Sequence, residues 1–161
     1  MKLEKLIGDH LRKNGWTLSI AESCTGGLIN DRITDVPGSS NYYEGGMVSY
    51  SNKSKTELLG VPEAYIKRFG AVSPQVAKKM AQGVRKAFNT TFGLSTTGIA
   101  GPTGGSKKKP LGLVFIAVSD GKRTIVKKEK LKGNRKGIKR ESACRSLKYL
   151  YDFITKAQSG C

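Results

Sequence analysis

The sequence predicts a three-layer α/β domain, with helices on both faces of a central sheet. Three observations lead there. Apolar segments of strand length alternate along the chain with segments of helical spacing, the order that builds a sheet covered by helices. Residues 111–119 (LGLVFIAVS) are almost continuously apolar, as a strand buried on both faces must be. A strand-like run after Trp16 leads through a glycine-bearing polar loop into a helical pattern, which places that loop at the carboxyl end of a strand. At 161 residues the chain has the length of one domain and can bury a core unaided.

In chain order, residues 2–14 set Leu3, Leu6, Ile7 and Leu11 at helical spacing among charges, and Asn14-Gly15 supplies the stop. Residues 16–21 (WTLSIA) read as a short buried strand. Glu22-Ser23-Cys24-Thr25-Gly26-Gly27 is the polar loop, and Leu28, Ile29 and Ile33 mark the helix after it. Pro37-Gly38-Ser39-Ser40 is a turn. Residues 45–50 form a second strand, and Ser51-Asn52 caps a short helix carrying Lys55, Leu58 and Leu59. Ser73-Pro74 pairs a serine N-cap with proline at the first helical position. That helix runs to Phe88, with Val76, Met80 and Val84 inward. Residues 91–96 are a third strand and 97–110 a glycine-rich loop. After the apolar strand, residues 123–131 alternate and are charged, which suits an edge strand. The last helix covers 134–157, with Ile138, Leu147, Leu150, Tyr151 and Ile154 inward.

Lys and Arg number 29 against 12 Asp and Glu, a net charge of +17. Residues 106–148 hold 15 of the cations and 3 of the acids. A solvated basic surface is the favoured reading, because no aromatic-studded basic strand accompanies the charge. A nucleic-acid footprint, or attraction of a small anionic substrate, also fits. Hydrophobic residues at 37% with 25% charged lie in the globular range, which excludes disorder for most of the chain. No run approaches the ~20 apolar residues of a membrane helix, and the charged start MKLEKLIGDHLRK does not read as a secretory signal. Cys24, Cys144 and Cys161 are too few, and odd in number, for a disulfide framework, so a reducing cytoplasm is expected. The single histidine, His10, leaves a zinc site of His and Cys and a Ser-His-Asp triad both poorly supplied.

Two glycine loops carry the candidate chemistry. Amides around Thr25, Gly26 and Gly27 would point from a helix N-terminus, a ready site for an anion or a carbonyl oxygen. The second loop, Thr97 to Ser106, includes Gly98 and Gly101 and matches neither a Walker A loop nor a dinucleotide fingerprint. Either alone reads as a tight turn. Two at strand ends of one α/β domain point to a ligand, which binds there in open sheets. Ser23 is the candidate nucleophile and needs a base. His10 sits among core-facing positions of a Leu-rich helix. The alternative base is a lysine of lowered pKa or a tyrosine, and Tyr50-Ser51-Asn52-Lys53-Ser54-Lys55 supplies both. Lys55 in the first helical turn after a strand would point back over the strand end beside Ser23. Spacing alone favours solvated lysines and a core Tyr50. Cys24 is a rival nucleophile, although free cysteines are more often small buried hydrophobes.

The ordered set Ala21-Glu22-Ser23-Cys24-Thr25-Gly26-Gly27, Pro37-Gly38-Ser39-Ser40, Tyr50-Ser51-Asn52 with Lys55, Gly70-Ala71-Val72-Ser73, Thr97-Gly98-Ile99-Ala100-Gly101-Pro102 with Gly104-Gly105, and Lys109-Pro110-Leu111-Gly112 resembles the C-terminal domain of competence/damage-inducible protein A. The resemblance runs from about residue 3 to 155. It implies a three-layer α/β/α sandwich with a mixed, mostly parallel sheet. It implies a nicotinamide mononucleotide deamidase that forms nicotinic acid mononucleotide and ammonia, with no metal or organic cofactor, working as a homo-oligomer. It also implies Ser23 as nucleophile, Tyr50 and Lys55 as the groups that activate it and move the proton, and Ser40, Thr97 and Arg140 as substrate contacts, with Arg135 as the alternative arginine. The loop at Gly98 and Gly101 and the arginine would then take the phosphate. Relatives with a further N-terminal domain are less like this chain than stand-alone deamidases, so a single domain over residues 1–161 is expected. Two other readings remain open: a nucleotide-binding or regulatory domain without catalysis, and a nucleic-acid module using residues 106–148.

Overall fold

In two central strands, residues 18–22 and 92–98, side chains alternate between large and small, and that alternation sets how closely a helix packs on one face. The computed structural model describes residues 2–157, and Cys161 lies outside them. Strands β1 (Leu18–Glu22), β2 (Tyr43–Val48), β3 (Phe92–Gly98), β4 (Leu113–Ser119) and β5 (Thr124–Lys130) form one sheet in the order β2-β1-β3-β4-β5. β2, β1 and β3 are parallel, and β4 is antiparallel to both β3 and β5. The sheet is therefore mixed, with two of four pairings parallel and four of five strands pointing one way.

Helices α1 (Leu3–Asn14), α2 (Leu28–Thr34) and α6 (Arg135–Ala157) cover one face. Helices α3 (Asn52–Leu59), α4 (Glu63–Phe69) and α5 (Pro74–Phe88) cover the other. On the first face Leu18, Ile20, Leu94, Ile116 and Val118 form one apolar cluster with Ile7 and Leu11 of α1 and Ile138, Leu147 and Ile154 of α6. On the second face β1 and β3 present small residues, and α5 settles close. Ser95 Oγ donates to Ala77 O at 2.7 Å and Ser19 Oγ to Val84 O at 3.1 Å. A Cβ on Gly93 would meet Ala81 O at 2.2 Å, so any larger residue there would lift the helix off the sheet.

The helix signals hold locally. Ser73 Oγ accepts from Val76 N at 3.2 Å, Ser51 Oγ accepts from Ser54 N at 3.0 Å, and Gly15 ends α1 at φ +66°. Several bounds differ from the expectation: β1 spans Leu18–Glu22 rather than 16–21, and β3 spans Phe92–Gly98 rather than 91–96. The strand expected at 45–50 is β2, and it begins and ends two residues earlier. β4 begins at Leu113 rather than at residue 111, because Gly112 turns the chain at φ +84° and Leu111 faces outward, 44% exposed. Helix α4 was not anticipated; Ile66 is its one buried residue, too weak a stripe for periodicity to reveal. No helix among the described residues is long and apolar enough to cross a membrane.

Candidate functional site

The parallel strands β1, β2 and β3 bring their carboxyl ends to one edge of the sheet, and the loops leaving them build the site. Beyond β1, Ser23 N donates to Thr96 O at 3.1 Å, so pairing with β3 continues for one residue. The chain then turns: Gly26 N donates to Ser23 O at 3.1 Å and Leu28 N to Thr25 O at 3.2 Å, which starts α2. Gly26 and Gly27 sit at φ +61° and +101°, where side chains are strained. Beyond β2, Ser49 N donates to Glu22 O at 2.8 Å, and Ser51 then caps α3. Lys55 follows within the first turn of α3. Side chains on a helix lean toward its N-terminus, which sends this lysine back over the strand ends.

Lys55 Nζ lies 3.0 Å from Ser23 Oγ, 2.8 Å from Ser49 O and 3.2 Å from Tyr50 O. The lysine is 1% exposed and Ser23 is 8% exposed. None of the ion pairs among the described residues includes Lys55. Burial without a carboxylate disfavours the ammonium and brings the pKa down to about 8. The two carbonyls can only accept, so they take two N–H groups. In the neutral amine this leaves the lone pair facing the Ser23 hydroxyl. Beside it, burial pushes the Cys24 thiol up to about 12, which keeps it protonated and unreactive. His10 stands apart on α1, its ring 5.9 Å from Trp16 and its Nε2 buried without a hydrogen-bond partner.

Ser23 and Lys55 open into a pocket of about 180 Å³. Cys24, Ala71, Val72 and Ala100 give it apolar walls, and Thr97 and Gly98 close one side. Thr97 Oγ1 donates to Ala71 O at 2.9 Å, fixing that wall to β3. Arg135 stands at the mouth, donating through Nη1 to Gly101 O at 2.7 Å and through Nη2 to Tyr50 Oη at 3.1 Å. Tyr50 is 60% exposed rather than core, so its backbone carbonyl holds Lys55 while its hydroxyl holds Arg135.

The structure thus gathers Ser23, Lys55, Tyr50, Thr97 and Gly98 around one pocket, with Gly101 at its rim. Other expected residues fall elsewhere. Arg140 is exposed and does not line the pocket; Arg135 does. Five residues along a helix is a rotation of roughly 140° and a rise of roughly 7.5 Å, so both arginines cannot face one mouth. Ser40 lies in the Ser39–Asn41 turn ahead of β2, near the amino ends of β1 and β2, where Leu18 N donates to Tyr42 O at 2.7 Å. That is the opposite edge of the sheet. Thr25 is buried against Thr96, hydroxyl to hydroxyl at 3.0 Å. The Gly26 and Gly27 amides, expected as oxyanion donors, bond to Ser23 O and to Glu22 Oε2. What sequence reasoning missed is mostly backbone: the carbonyls of Ser49 and Tyr50 that hold Lys55, which no side-chain pattern reveals. It also gave no role to Glu22, although this residue stands within the first motif.

Fold and site together define an α/β domain with a lysine-paired serine in a pocket at the carboxyl ends of parallel strands. The chain belongs to the CinA C-terminal domain family, whose pattern matches residues 1–154. A CinA-like protein of Syntrophus aciditrophicus is 49% identical over 153 residues, which is 94% of this chain and 36% of that protein. Among solved structures, competence/damage inducible protein CihA from Agrobacterium tumefaciens superposes with a TM-score of 0.88 at 36% identity, covering 92% of this chain and 93% of the other. A CinA superfamily protein from Enterobacter cloacae gives 0.91 at 29% identity, covering 94% and 90%. The chain spans little more than a third of the length of the curated relatives it matches.

Proposed function

We propose that this domain is an amidohydrolase that converts the carboxamide of nicotinamide mononucleotide to the carboxylate of nicotinic acid mononucleotide, releasing ammonia. The observation that carries this reading is the buried Lys55 Nζ at 3.0 Å from Ser23 Oγ, without a carboxylate partner and with a pKa brought down to about 8. A buried lysine is costly, and a neutral amine against a hydroxyl is the arrangement of a Ser-Lys nucleophile pair.

The steps follow from the atoms present. Neutral Lys55 takes the Ser23 proton as Oγ bonds to the amide carbon. The resulting ammonium gives that proton to the departing nitrogen as the C–N bond breaks, and ammonia leaves. Lys55, neutral again, takes a proton from water as the water oxygen attacks the ester, then returns it to Ser23 Oγ. The proton account closes with Lys55 alone, and Tyr50 Oη, which accepts from Arg135, keeps its own O–H to relay a proton at the mouth. At about 180 Å³ the pocket is below the ~300 Å³ at which ordinary ligand sites begin, so it takes the single aromatic amide and leaves ribose and phosphate at the mouth. Arg135 stands there with a guanidinium suited to gripping phosphate.

The test is ammonia release from nicotinamide mononucleotide by the purified protein. Turnover is expected to survive a chelator. It is also expected to rise with pH to a plateau, with a midpoint near 8, because the free amine is the active form of Lys55. Binding measured by calorimetry without ammonia release would make the domain a nucleotide binder instead. Arg135→Ala is expected to raise KM by about 10- to 100-fold while kcat changes little, the mark of lost ground-state binding. Arg140→Ala is expected to stay within about twofold on both constants. Equal effects of the two substitutions would remove the phosphate role from Arg135.

A further inference from the structure

Glu22 ends β1, immediately before Ser23, and is fully buried. It belongs to none of the ion pairs among the described residues. A buried carboxylate without a counter-ion is costly unless hydrogen bonds replace its water. Here N–H groups do so. Oε2 accepts from Gly27 N at 3.0 Å, and Oε1 accepts from Asn30 N at 2.7 Å and from Asn30 Nδ2 at 2.6 Å. Asn30 Oδ1 accepts in turn from Tyr43 Oη on the edge strand β2. Gly46 leaves the space that Asn30 fills, since a Cβ there would lie 2.1 Å from Asn30 Oδ1.

The chemistry of the acceptor matters. Gly27 occupies the N-cap position of α2 and has no side chain to cap with. Glu22 caps the helix from five residues upstream, on the far side of the loop that carries Ser23. The same residue's backbone O accepts from Ser49 N, next to the Ser49 carbonyl that holds Lys55. Backbone pairing thus fixes where Ser23 begins, and the carboxylate fixes where its turn ends. An ionised carboxylate only accepts, so it receives three converging donors. An amide would set its own NH₂ against one of them.

We propose that Glu22 is a positioning residue whose carboxylate clamps Gly27 and Asn30 and so holds the 23–27 turn with Ser23 Oγ on Lys55 Nζ. This inference rests on the Ser23–Lys55 chemistry proposed above, and its test separates the two. In Glu22→Ala, kcat for ammonia release is expected to fall about 10- to 100-fold, the cost of a small misplacement of a reacting group. KM is expected to stay within about threefold, because no substrate contact is lost. Glu22→Gln, which keeps one accepting oxygen, is expected to recover part of the loss. The pH midpoint is expected to remain near 8, since burial of Lys55 sets it. Amide exchange at Gly27 and Asn30 is expected to accelerate while that of β3 and β4 does not. If Glu22→Ala does not fold, Glu22→Gln and Asn30→Ala carry the test, each expected to lower kcat several-fold at constant KM. Wild-type kcat in the variants overturns the proposal. So does a pH midpoint displaced by a full unit, which would make Glu22 an electrostatic partner of Lys55. An enzyme that releases no ammonia even as wild type overturns the amidohydrolase reading alone. The clamp is then judged by a crystal structure of the substituted protein, where an unchanged Ser23–Lys55 distance and unchanged amide exchange would refute it.

Discussion

Ser23→Ala is expected to lower ammonia release from nicotinamide mononucleotide by roughly 10⁴-fold or more, the scale of loss when the nucleophile of a covalent mechanism is removed. The fold is expected to survive. The hydroxyl makes one side-chain contact, with Lys55 Nζ, and the residue's place in the sheet is held by its backbone through Thr96 O. Substrate binding by calorimetry is expected to persist, because the walls at Ala71, Val72 and Thr97 and the arginine at the mouth are untouched. Cys24 is the neighbouring atom that could confuse the result. With its thiol pushed up to about 12, the thiolate fraction at pH 8 is about 10⁻⁴, so it cannot take over. Ser23→Ala with turnover intact would therefore mean that water attacks directly, and the covalent route would be wrong. Trapping the ester is the complementary check: a mass increase on the wild-type protein after turnover near pH 8 is stopped with acid, absent from the variant.

Much of this was legible in the sequence, and the reasons differ from element to element. The helix at Ser73-Pro74 and the caps at Ser51 and Gly15 are local signals, and they held because local hydrogen bonds decide them. The continuous apolar run in β4 marked a central strand because both of its faces are covered. Pairing Ser23 with Lys55 needed more. Spacing alone left Lys55 in solvent, and only the parallel neighbourhood of β1 and β2 brings residue 55 back over residue 23. Parallel pairing is non-local and leaves no signature in a single strand. Arg135 and Arg140 show the limit of reading an arginine by motif: which one serves the mouth depends on the rotational phase at which α6 starts. The Gly26 and Gly27 amides failed as oxyanion donors for a related reason. A glycine turn advertises free N–H groups, but whether a neighbour such as Glu22 occupies them is settled by tertiary structure.

Lys55→Met is expected to abolish activity and to gain stability on the wild type as pH falls from about 10 to about 7. Loss of the base removes at least about 10³-fold in kcat. The stability effect follows from the same burial that lowers the pKa of the lysine. Its pKa is about 8 in the folded chain and near the ordinary 10.5 in the unfolded chain. Below pH 8 both states hold the proton, and the folded state bears the full cost of a buried ammonium, about 3 kcal/mol from the size of the shift. Between pH 8 and 10.5 the unfolded chain binds more protons than the folded one, so wild-type stability climbs with pH and that cost disappears. Methionine has similar length and no charge, but it leaves the Ser49 and Tyr50 carbonyls without their donor, at about 1–3 kcal/mol each at every pH. Between about pH 10 and about pH 7 the variant should therefore gain about 2–3 kcal/mol on the wild type, with about 2–4 °C in Tm for each kcal/mol in a chain of this size. Near pH 10 the wild type should be the more stable, because most of the ammonium cost has gone while the lost hydrogen bonds remain. Thermal melts of both proteins from about pH 6 to about pH 10 read this directly. A Tm difference that stays constant across that range would mean that Lys55 titrates as an ordinary lysine. Lys55 would then not be the base for Ser23, and with His10 apart on α1 the Tyr50 hydroxyl beside Arg135 would be the group left to test.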